Sequence, residues 1–272
     1  MLEIKPKEKS SLLARIKVVG VVVVVLMLFV YFLVLPAVEN LEEALRHRDC
    51  VNHCKQIALA MHDYHDKYET FPPAHTTDAN GKPSHSWRTL LLPFLECEAM
   101  YHQIRLDEPW DSEYNRQFHN RMPKVFSCWN LLKHFRNDKE NSGQWSNRMT
   151  AWQVVVGPDT LFPGSQCRTL HDVTRGKSDT AMVVESTAGV CWMAPLDLPF
   201  EALEHGVVSA KSGILGIGSY HNSGVNAAMA NGNVDFFPNS QSLEDVKMLK
   251  ERVRIKLPTD GADSQINSTI PE

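Results

Sequence analysis

The sequence predicts an α+β protein in which an N-terminal membrane-spanning helix precedes an exported domain with a mainly antiparallel sheet. Residues 18–35 are eighteen consecutive uncharged residues, nearly all of them strongly apolar. Between Cys50 and Tyr68, apolar residues recur at spacings of three and four, which is typical of one face of a helix. From Thr150 onward, short β-like runs are separated by turn residues. Helices followed by strands that need no crossover helices indicate the α+β class.

The apolar run has the length and character of a membrane anchor. A spanning helix needs about 20 apolar residues, and residues 36–38 complete that length. The alternative is a cleaved signal peptide, whose apolar core is usually about 7–15 residues long and ends at a small-residue cleavage site. The run is longer than that, and residues 35–40 (LPAVEN) match such a site poorly. We therefore expect an uncleaved transmembrane helix at residues 18–38, in contact with the lipid bilayer.

Charge on the two sides of this helix predicts its orientation. Residues 1–17 contain five lysines and arginines against two glutamates. Because basic flanks remain in the cytoplasm, the head at 1–17 should be cytoplasmic and the domain at 39–260 exported, with a polar tail at 261–272. Subtracting the head from the formal net charge of −4 leaves about −7 for the remainder. An acidic domain has no electrostatic attraction for nucleic acid, so we expect no binding to DNA or RNA.

The exported part should begin with helices. The Cys50–Tyr68 segment should form one, ending before Phe71-Pro72-Pro73 because proline cannot continue a helix. We expect the anchor and this segment to form one long helix that is bent or interrupted at Pro36. A second helix is expected from Trp87 to about Ile104 and a third over Ser112–Arg121.

Four β-like runs follow, and the last two predict a hairpin. Asn231-Gly232 between them favours a two-residue type I′ turn, which needs positive φ at both residues. A final helix should start with Ser242 as its N-cap and Asp245 facing back to it. The predicted strands are Trp152–Val156, Ala181–Glu185, Val225–Ala230 and Val234–Phe237.

Ordered blocks over roughly residues 33–260 resemble a bacterial family, the domain-of-unknown-function 1559 proteins, which are pilin-like and exported. The resemblance implies a pilin-like head facing the periplasm, behind a single span of the bacterial inner membrane. Among the matching blocks are Leu35-Pro36-Ala37-Val38, Lys55-Gln56-Ile57, His62-Asp63-Tyr64-His65-Asp66, Phe71-Pro72-Pro73, Ser86-Trp87-Arg88, Asp107-Glu108-Pro109-Trp110-Asp111, Phe126-Ser127-Cys128, Val155-Val156-Gly157-Pro158, Val183-Val184-Glu185, Trp192-Met193-Ala194-Pro195 and His221-Asn222-Ser223-Gly224.

The chain departs from the family pattern at two places. Where the family has a prepilin-type leader and a glutamate, this chain has Ala14-Arg15 and Val19, which argues against prepilin processing. His221 opens the family's H-x9-D-G signature, but Asn231 stands in place of its aspartate, before Gly232. Asparagine serves the same turn, whereas a role that needs a carboxylate would be lost.

Six cysteines lie on the side that we expect to be oxidising. Cys50 and Cys128 both lie in family-like blocks, and we predict a disulfide between them. Cys54, one helical turn from Cys50, is the competing partner.

Motifs for catalysis or cofactor binding are missing from the sequence. It contains no G-x-S-x-G, P-loop or H-E-x-x-H pattern. His62 with His65, and Cys50 with Cys54, could supply metal ligands, but a solvated helix face and buried packing are the simpler interpretations. We therefore predict no catalytic residue, cofactor or metal.

His221 and Glu185 allow a functional and a structural interpretation. His221 could be a ligand or proton-handling group, but hydrogen bonding between its loop and the hairpin is favoured. Glu185 is interpreted as an edge or turn contact.

The resulting functional prediction is a membrane-anchored pilin- or pseudopilin-like protein, similar to type II secretion components. It would act in assembly or interaction, through protein partners or self-association, without catalysis. The first alternative is a periplasmic solute-binding or sensing module with a pocket between the loops around Trp192 and His221. A metal- or thiol-dependent enzyme is the second alternative.

Overall fold

The computed structural model describes residues 6–137, 147–205, 208–209, 216–221, 224–238 and 243–255. The predicted polar tail at 261–272 therefore lies outside the described residues. The chain divides into two compact units, Met1–His47 and Arg48–Glu272. The fold class is confirmed: a long apolar N-terminal helix precedes a domain built on antiparallel strands.

The apolar segment is helical throughout its described length. Helix α1 (Pro6–Phe29) is followed by one π-helical turn (Val30–Val34) and then by helix α2 (Leu35–Tyr68). The π turn ends two residues before Pro36, which has no N–H to donate to the carbonyl four residues earlier. Every residue from Lys17 to Asn40 is exposed. Within the described residues there is one helix that is long and apolar enough to cross a membrane.

The C-terminal part of α2 buries the predicted apolar seam. Cys50, Cys54, Ile57, Met61 and Tyr64 are all buried, as their spacing predicts. The helix ends at Tyr68, before the two prolines. The prediction for this helix is confirmed.

The two helices predicted after α2 are wrong in extent. In place of one helix from Trp87 there are α3 (Trp87–Leu90), a 3₁₀ turn (Leu92–Phe94) and α4 (Glu98–Tyr101). Glu96 has a φ of 58°, which no right-handed helix accommodates. Over residues 112–121 only a 3₁₀ turn forms, at Asn115–Phe118. The Asn115 amide donates to the carbonyl oxygens of Arg105 and Pro109, and such side-chain bonds compete with helix formation.

Several short elements of the second unit were not predicted. They include the strands β1 (His75–Thr77) and β2 (Pro83–Ser86), which pair antiparallel, and helix α5 (Trp129–Asn137). The polar residues between β1 and β2 resemble a loop in sequence, and three-residue strands carry little periodic signal.

A four-stranded antiparallel sheet forms the centre of the second unit. Its order is β10 (Val234–Pro238), β9 (Gly224–Met229), β5 (Ala181–Cys191) and β3 (Met149–Gln153), so β5 and β9 are inner strands. The predicted run Trp152–Val156 is divided between β3 and β4 (Val155–Val156), and β4 pairs parallel with β6 (Leu198–Pro199). Helix α6 (Leu243–Val253) occupies the predicted final helix, whose Ser242 cap lies outside the described residues. The remaining strands are β7 (Val208–Ser209) and β8 (Gly218–Ser219).

The β9–β10 hairpin is confirmed, but its predicted turn type is wrong. Gly232 has a φ of 79°, whereas Asn231 is not in the positive-φ region that a type I′ turn requires. The Met229 N–H donates to the carbonyl of Asn233, and the Gly232 N–H donates to the carbonyl of Met229, both at 2.8 Å. These bonds define a three-residue loop in which a turn is followed by a left-handed glycine.

Gly232→Val should destabilise this hairpin. A β-branched residue tolerates the left-handed region poorly, so we expect a loss of about 1–3 kcal/mol in the free energy of unfolding. Thermal unfolding of the full-length protein in detergent measures the effect. Asn231→Asp is the control and should be nearly neutral, because a carboxylate oxygen can still accept from the Asn233 N–H at 2.9 Å. Unchanged melting of the Gly232→Val variant would contradict the observed loop.

A buried ion pair connects α3 with the loop after β5. Arg88 and Asp197 are 2.7 Å apart, with side chains 0% and 2% exposed. The guanidinium also donates to the Trp152 carbonyl and the Ser86 hydroxyl. Asp197 Oδ1 additionally accepts from the Trp87 indole and the Val154 N–H. This network satisfies polar groups from three parts of the chain inside the core.

Candidate functional site

Four buried side chains with metal-binding or proton-handling chemistry converge inside the second unit. They are Cys50 on α2, Cys128 directly before α5, Glu185 on β5 and His221 three residues before the start of β9. One sulfur, nitrogen or oxygen atom from each lies within 4.8 Å of all the others. Their exposed fractions are between 0% and 3%. Four separate elements therefore place these groups together in a water-poor interior.

The two sulfur atoms lie close together as thiols. Cys50 donates to Cys128 with a sulfur–sulfur distance of 3.6 Å, and His221 Nε2 lies 3.3 Å from the Cys50 sulfur. A disulfide would bring the sulfurs to about 2.05 Å. The predicted partners Cys50 and Cys128 are therefore adjacent, and an oxidised bond between them stays a prediction. Cys54, the competing partner, is also a buried free thiol.

The two thiols affect each other's ionisation. The hydrogen bond from Cys50 lowers the pKa of Cys128 well below its ordinary value, and hydrogen bonds with His221 and the Leu131 backbone contribute further. The same hydrogen bond, with burial, raises the pKa of Cys50. Cys128 also lies at the N-terminus of α5, where the helix dipole favours an anion. The two opposite shifts therefore share one main cause, the hydrogen bond between the sulfurs, and belong to the pair and not to either cysteine alone.

Glu185 occupies an unusual position for a carboxyl group. Its Oε2 atom accepts from the backbone N–H of Asn226 at 2.8 Å and from the Asn226 amide at 3.2 Å. Its Oε1 atom is buried and has no hydrogen-bond partner among the described residues. Burial raises the pKa of Glu185 to about 8, with a further contribution from Cys128. The interpretation of Glu185 as an edge or turn contact is wrong, because β5 lies between β9 and β3.

His221 is held from both sides of its ring. Nε2 faces Cys50, and Nδ1 lies 3.1 Å from the Asn130 side-chain amide on α5. The His221 backbone N–H donates to the Ser219 hydroxyl at 3.1 Å. These contacts link the ring to α2 and α5, and the expected bonding between its loop and the hairpin stays a prediction.

The other two residues of the signature, Asn231 and Gly232, make different contacts. The Asn231 side chain is exposed and accepts from the backbone of Asn233. The carbonyl of Gly232 accepts from the ammonium group of Lys55 on α2. The signature therefore contributes one residue to the buried cluster and one backbone acceptor to the contact between hairpin and α2.

The histidines on α2 make other contacts. His65 Nε2 accepts from the Leu170 backbone at 3.1 Å, and the His62 ring packs edge-on against Phe71. Within the described residues, neither histidine belongs to a group of three potential metal ligands.

All four cluster residues were considered from the sequence but were not placed in one site. Cys50 and Cys128 were paired as a disulfide, and His221 was assigned a separate role. Glu185 was interpreted as a contact and not as a site residue, although a lone carboxylate directly after the apolar run Ala181–Val184 is a usable signal. A charged residue in a buried strand needs a partner, and its position in the sequence does not say which one.

The fold and site together define a class of protein: an α+β domain with a buried thiol, imidazole and carboxyl cluster, in a chain that also carries one exposed apolar helix. The chain belongs to the DUF1559 family, whose model is described as a protein of unknown function and matches residues 40–212. The matched range includes Cys50, Cys128 and Glu185, whereas His221 and the hairpin follow it. No curated protein and no solved structure matches the chain.

Proposed function

We propose that the protein is a single-pass, membrane-anchored exported protein that acts by assembly or interaction, as pilins and pseudopilins do. The observation that carries this proposal is the exposed apolar surface of residues 18–38, which extends around the whole helix. Exposed patches of this kind need a lipid or protein environment. The basic segment before the helix favours a cytoplasmic N-terminus, with the second unit on the periplasmic side of the bacterial inner membrane.

A role without catalysis is part of the same proposal. The chemically reactive groups that converge in the second unit are at most 3% exposed, so a substrate has no direct access to them. Open active sites instead combine a cavity with a few convergent polar groups. The exported domain would then act through its contacts with other proteins.

Membrane fractionation tests the anchor. The intact chain should remain in the membrane pellet after carbonate washing, and protease added to spheroplasts should digest the second unit while protecting about 40 N-terminal residues. As a control, Val24→Lys combined with Leu28→Lys should release protein into the soluble fraction, since each central charge costs about 2.5–3.5 kcal/mol on insertion. A soluble wild-type form beginning near Glu39 would refute the anchor.

Site-specific photo-cross-linking tests the interaction role. A photoreactive residue at Leu59, which is 49% exposed on α2, should give a discrete adduct in membranes, either with another copy or with a partner identified by mass spectrometry. The same residue at Lys82, in the exposed turn between β1 and β2, serves as the matched control. An adduct pattern identical at the two positions, or none at either, would contradict a specific interface on the helix.

A further inference from the structure

We propose that Cys50, Cys128, Glu185 and His221 form a structural zinc site. This inference concerns the interior of the second unit and does not depend on the proposed assembly role. Two thiolates, one imidazole and one carboxylate are a donor set that zinc accepts in proteins, and thiolates with imidazole disfavour calcium and magnesium. Among the described residues, no other group of three or more histidines, cysteines and acidic residues converges in this way.

The distances between donor atoms fit a tetrahedral zinc ion. Zinc–sulfur bonds of about 2.3 Å and zinc–nitrogen bonds of about 2.0–2.1 Å, at tetrahedral angles, separate two sulfurs by about 3.8 Å and sulfur from nitrogen by about 3.6 Å. The corresponding distances are 3.6 Å between Cys50 and Cys128 and 3.3 Å between Cys50 and His221. All four donor atoms lie within 4.8 Å of one another, so side-chain adjustments of roughly 1 Å complete the coordination.

Glu185 supplies a second, independent argument. Its Oε1 atom is buried without a hydrogen-bond partner among the described residues. An unsatisfied buried polar atom lowers the stability of the folded state. Meanwhile Asn226 holds Oε2 with two N–H groups, which fixes the orientation of the carboxyl group. A cation bound by Oε1 satisfies this atom, whereas a disulfide between the two cysteines leaves it unsatisfied.

The surroundings of His221 resemble those of a metal-bound histidine. The nitrogen that faces the cluster is Nε2, and the other ring nitrogen meets the Asn130 amide at 3.1 Å. In the structure the Asn130 amide nitrogen faces Nδ1. A half-turn of this amide would place its oxygen there, to accept the Nδ1–H and leave the Nε2 lone pair for the metal. Asn130 is therefore a positioning residue.

The site is structural because its coordination is closed. Four protein donors complete a tetrahedron, and the burial of all four leaves no position for water or substrate. Zinc would join α2, the start of α5, the inner strand β5 and the segment before β9. These elements are separated by up to 171 residues in the chain, as the Cys50–His221 contact shows. Metal binding would thus be coupled to folding of the second unit.

Metal analysis of the full-length protein tests the proposal. Protein purified in detergent without a polyhistidine tag or chelator should contain about one zinc per chain. Replacement by Co²⁺ should give the visible absorption of tetrahedral cobalt with a thiolate charge-transfer band in the near ultraviolet. Cys50→Ser and His221→Ala should each weaken zinc binding by at least about 100-fold, and Asn130→Ala by roughly 10-fold.

Two further variants separate loss of metal from loss of folding. Glu185→Gln keeps the side-chain size, so it should remain folded by circular dichroism while binding zinc at least about 10-fold more weakly. Cys54→Ser alters a buried thiol one turn along α2 and should keep full zinc content. Zinc that persists in the Cys50→Ser variant, zinc-free wild type with two free thiols, or a Cys50–Cys128 disulfide found by non-reducing peptide mapping would each overturn the proposal.

Discussion

Replacing Arg88 by methionine is expected to lower the free energy of unfolding by about 3–5 kcal/mol, the range for a broken buried ion pair. The guanidinium is fully buried and lies 2.7 Å from Asp197. Its removal leaves the Asp197 carboxylate buried without its cation, and the Oδ2 atom of that group already has no partner among the described residues. The Trp152 carbonyl also loses the two N–H donors of the guanidinium. Denaturant unfolding of the full-length protein in detergent, followed by far-ultraviolet circular dichroism, measures the loss.

Two controls distinguish the loss of the buried ion pair from the loss of an arginine side chain in general. Arg105→Met removes an exposed partner of Glu108, also at 2.7 Å, and should cause no measurable change because water screens that pair. Combining Arg88→Met with Asp197→Leu should recover much of the stability, since a buried pair replaced by apolar side chains is often neutral. Equal effects of Arg88→Met and Arg105→Met would show that the pair is not desolvated.

Trp192→Ala should cost a similar amount, about 3–5 kcal/mol, because it deletes a large buried ring and leaves a cavity. Trp192 is fully buried and stacks on Phe126 with ring centroids 6.1 Å apart. Its indole N–H donates to the carbonyl of His119 at 3.1 Å, so the substitution also leaves that acceptor unpaired. The same unfolding measurement applies.

The matched control for this substitution is Trp129→Ala. Trp129 is 46% exposed, and its removal should change stability by no more than about 0.5 kcal/mol. The comparison also bears on the solute-binding alternative, which needs the loops around Trp192 to form a pocket. A side chain with no exposed surface does not contact a solute in this conformation. A mild effect of Trp192→Ala, close to that of Trp129→Ala, would mean that the ring is not part of the core.

The features that the sequence determined are those carried by local patterns. The apolar run of residues 18–38, the seam from Cys50 to Tyr64 and the two strands around Gly232 each need only a short window of sequence. Turn type and helix length were harder to predict from the sequence, because they depend on hydrogen bonds to distant groups. The backbone N–H of Asn231 donates to the Lys177 carbonyl at 3.0 Å, and the backbone N–H of Phe71 donates to the Arg168 carbonyl at 2.7 Å. Neither contact is visible in the sequence around these residues.

Only the tertiary structure decided that the two cysteines, Glu185 and His221 belong to one site. Each lies on a different element, and the sequence signal at each position allowed a separate explanation: a disulfide, a sheet contact, a loop hydrogen bond. Packing of α2 and α5 on the sheet excludes water from all four and brings their polar atoms together. In a low-dielectric interior such groups must satisfy one another or share a cation, and this requirement acts through space and not along the chain.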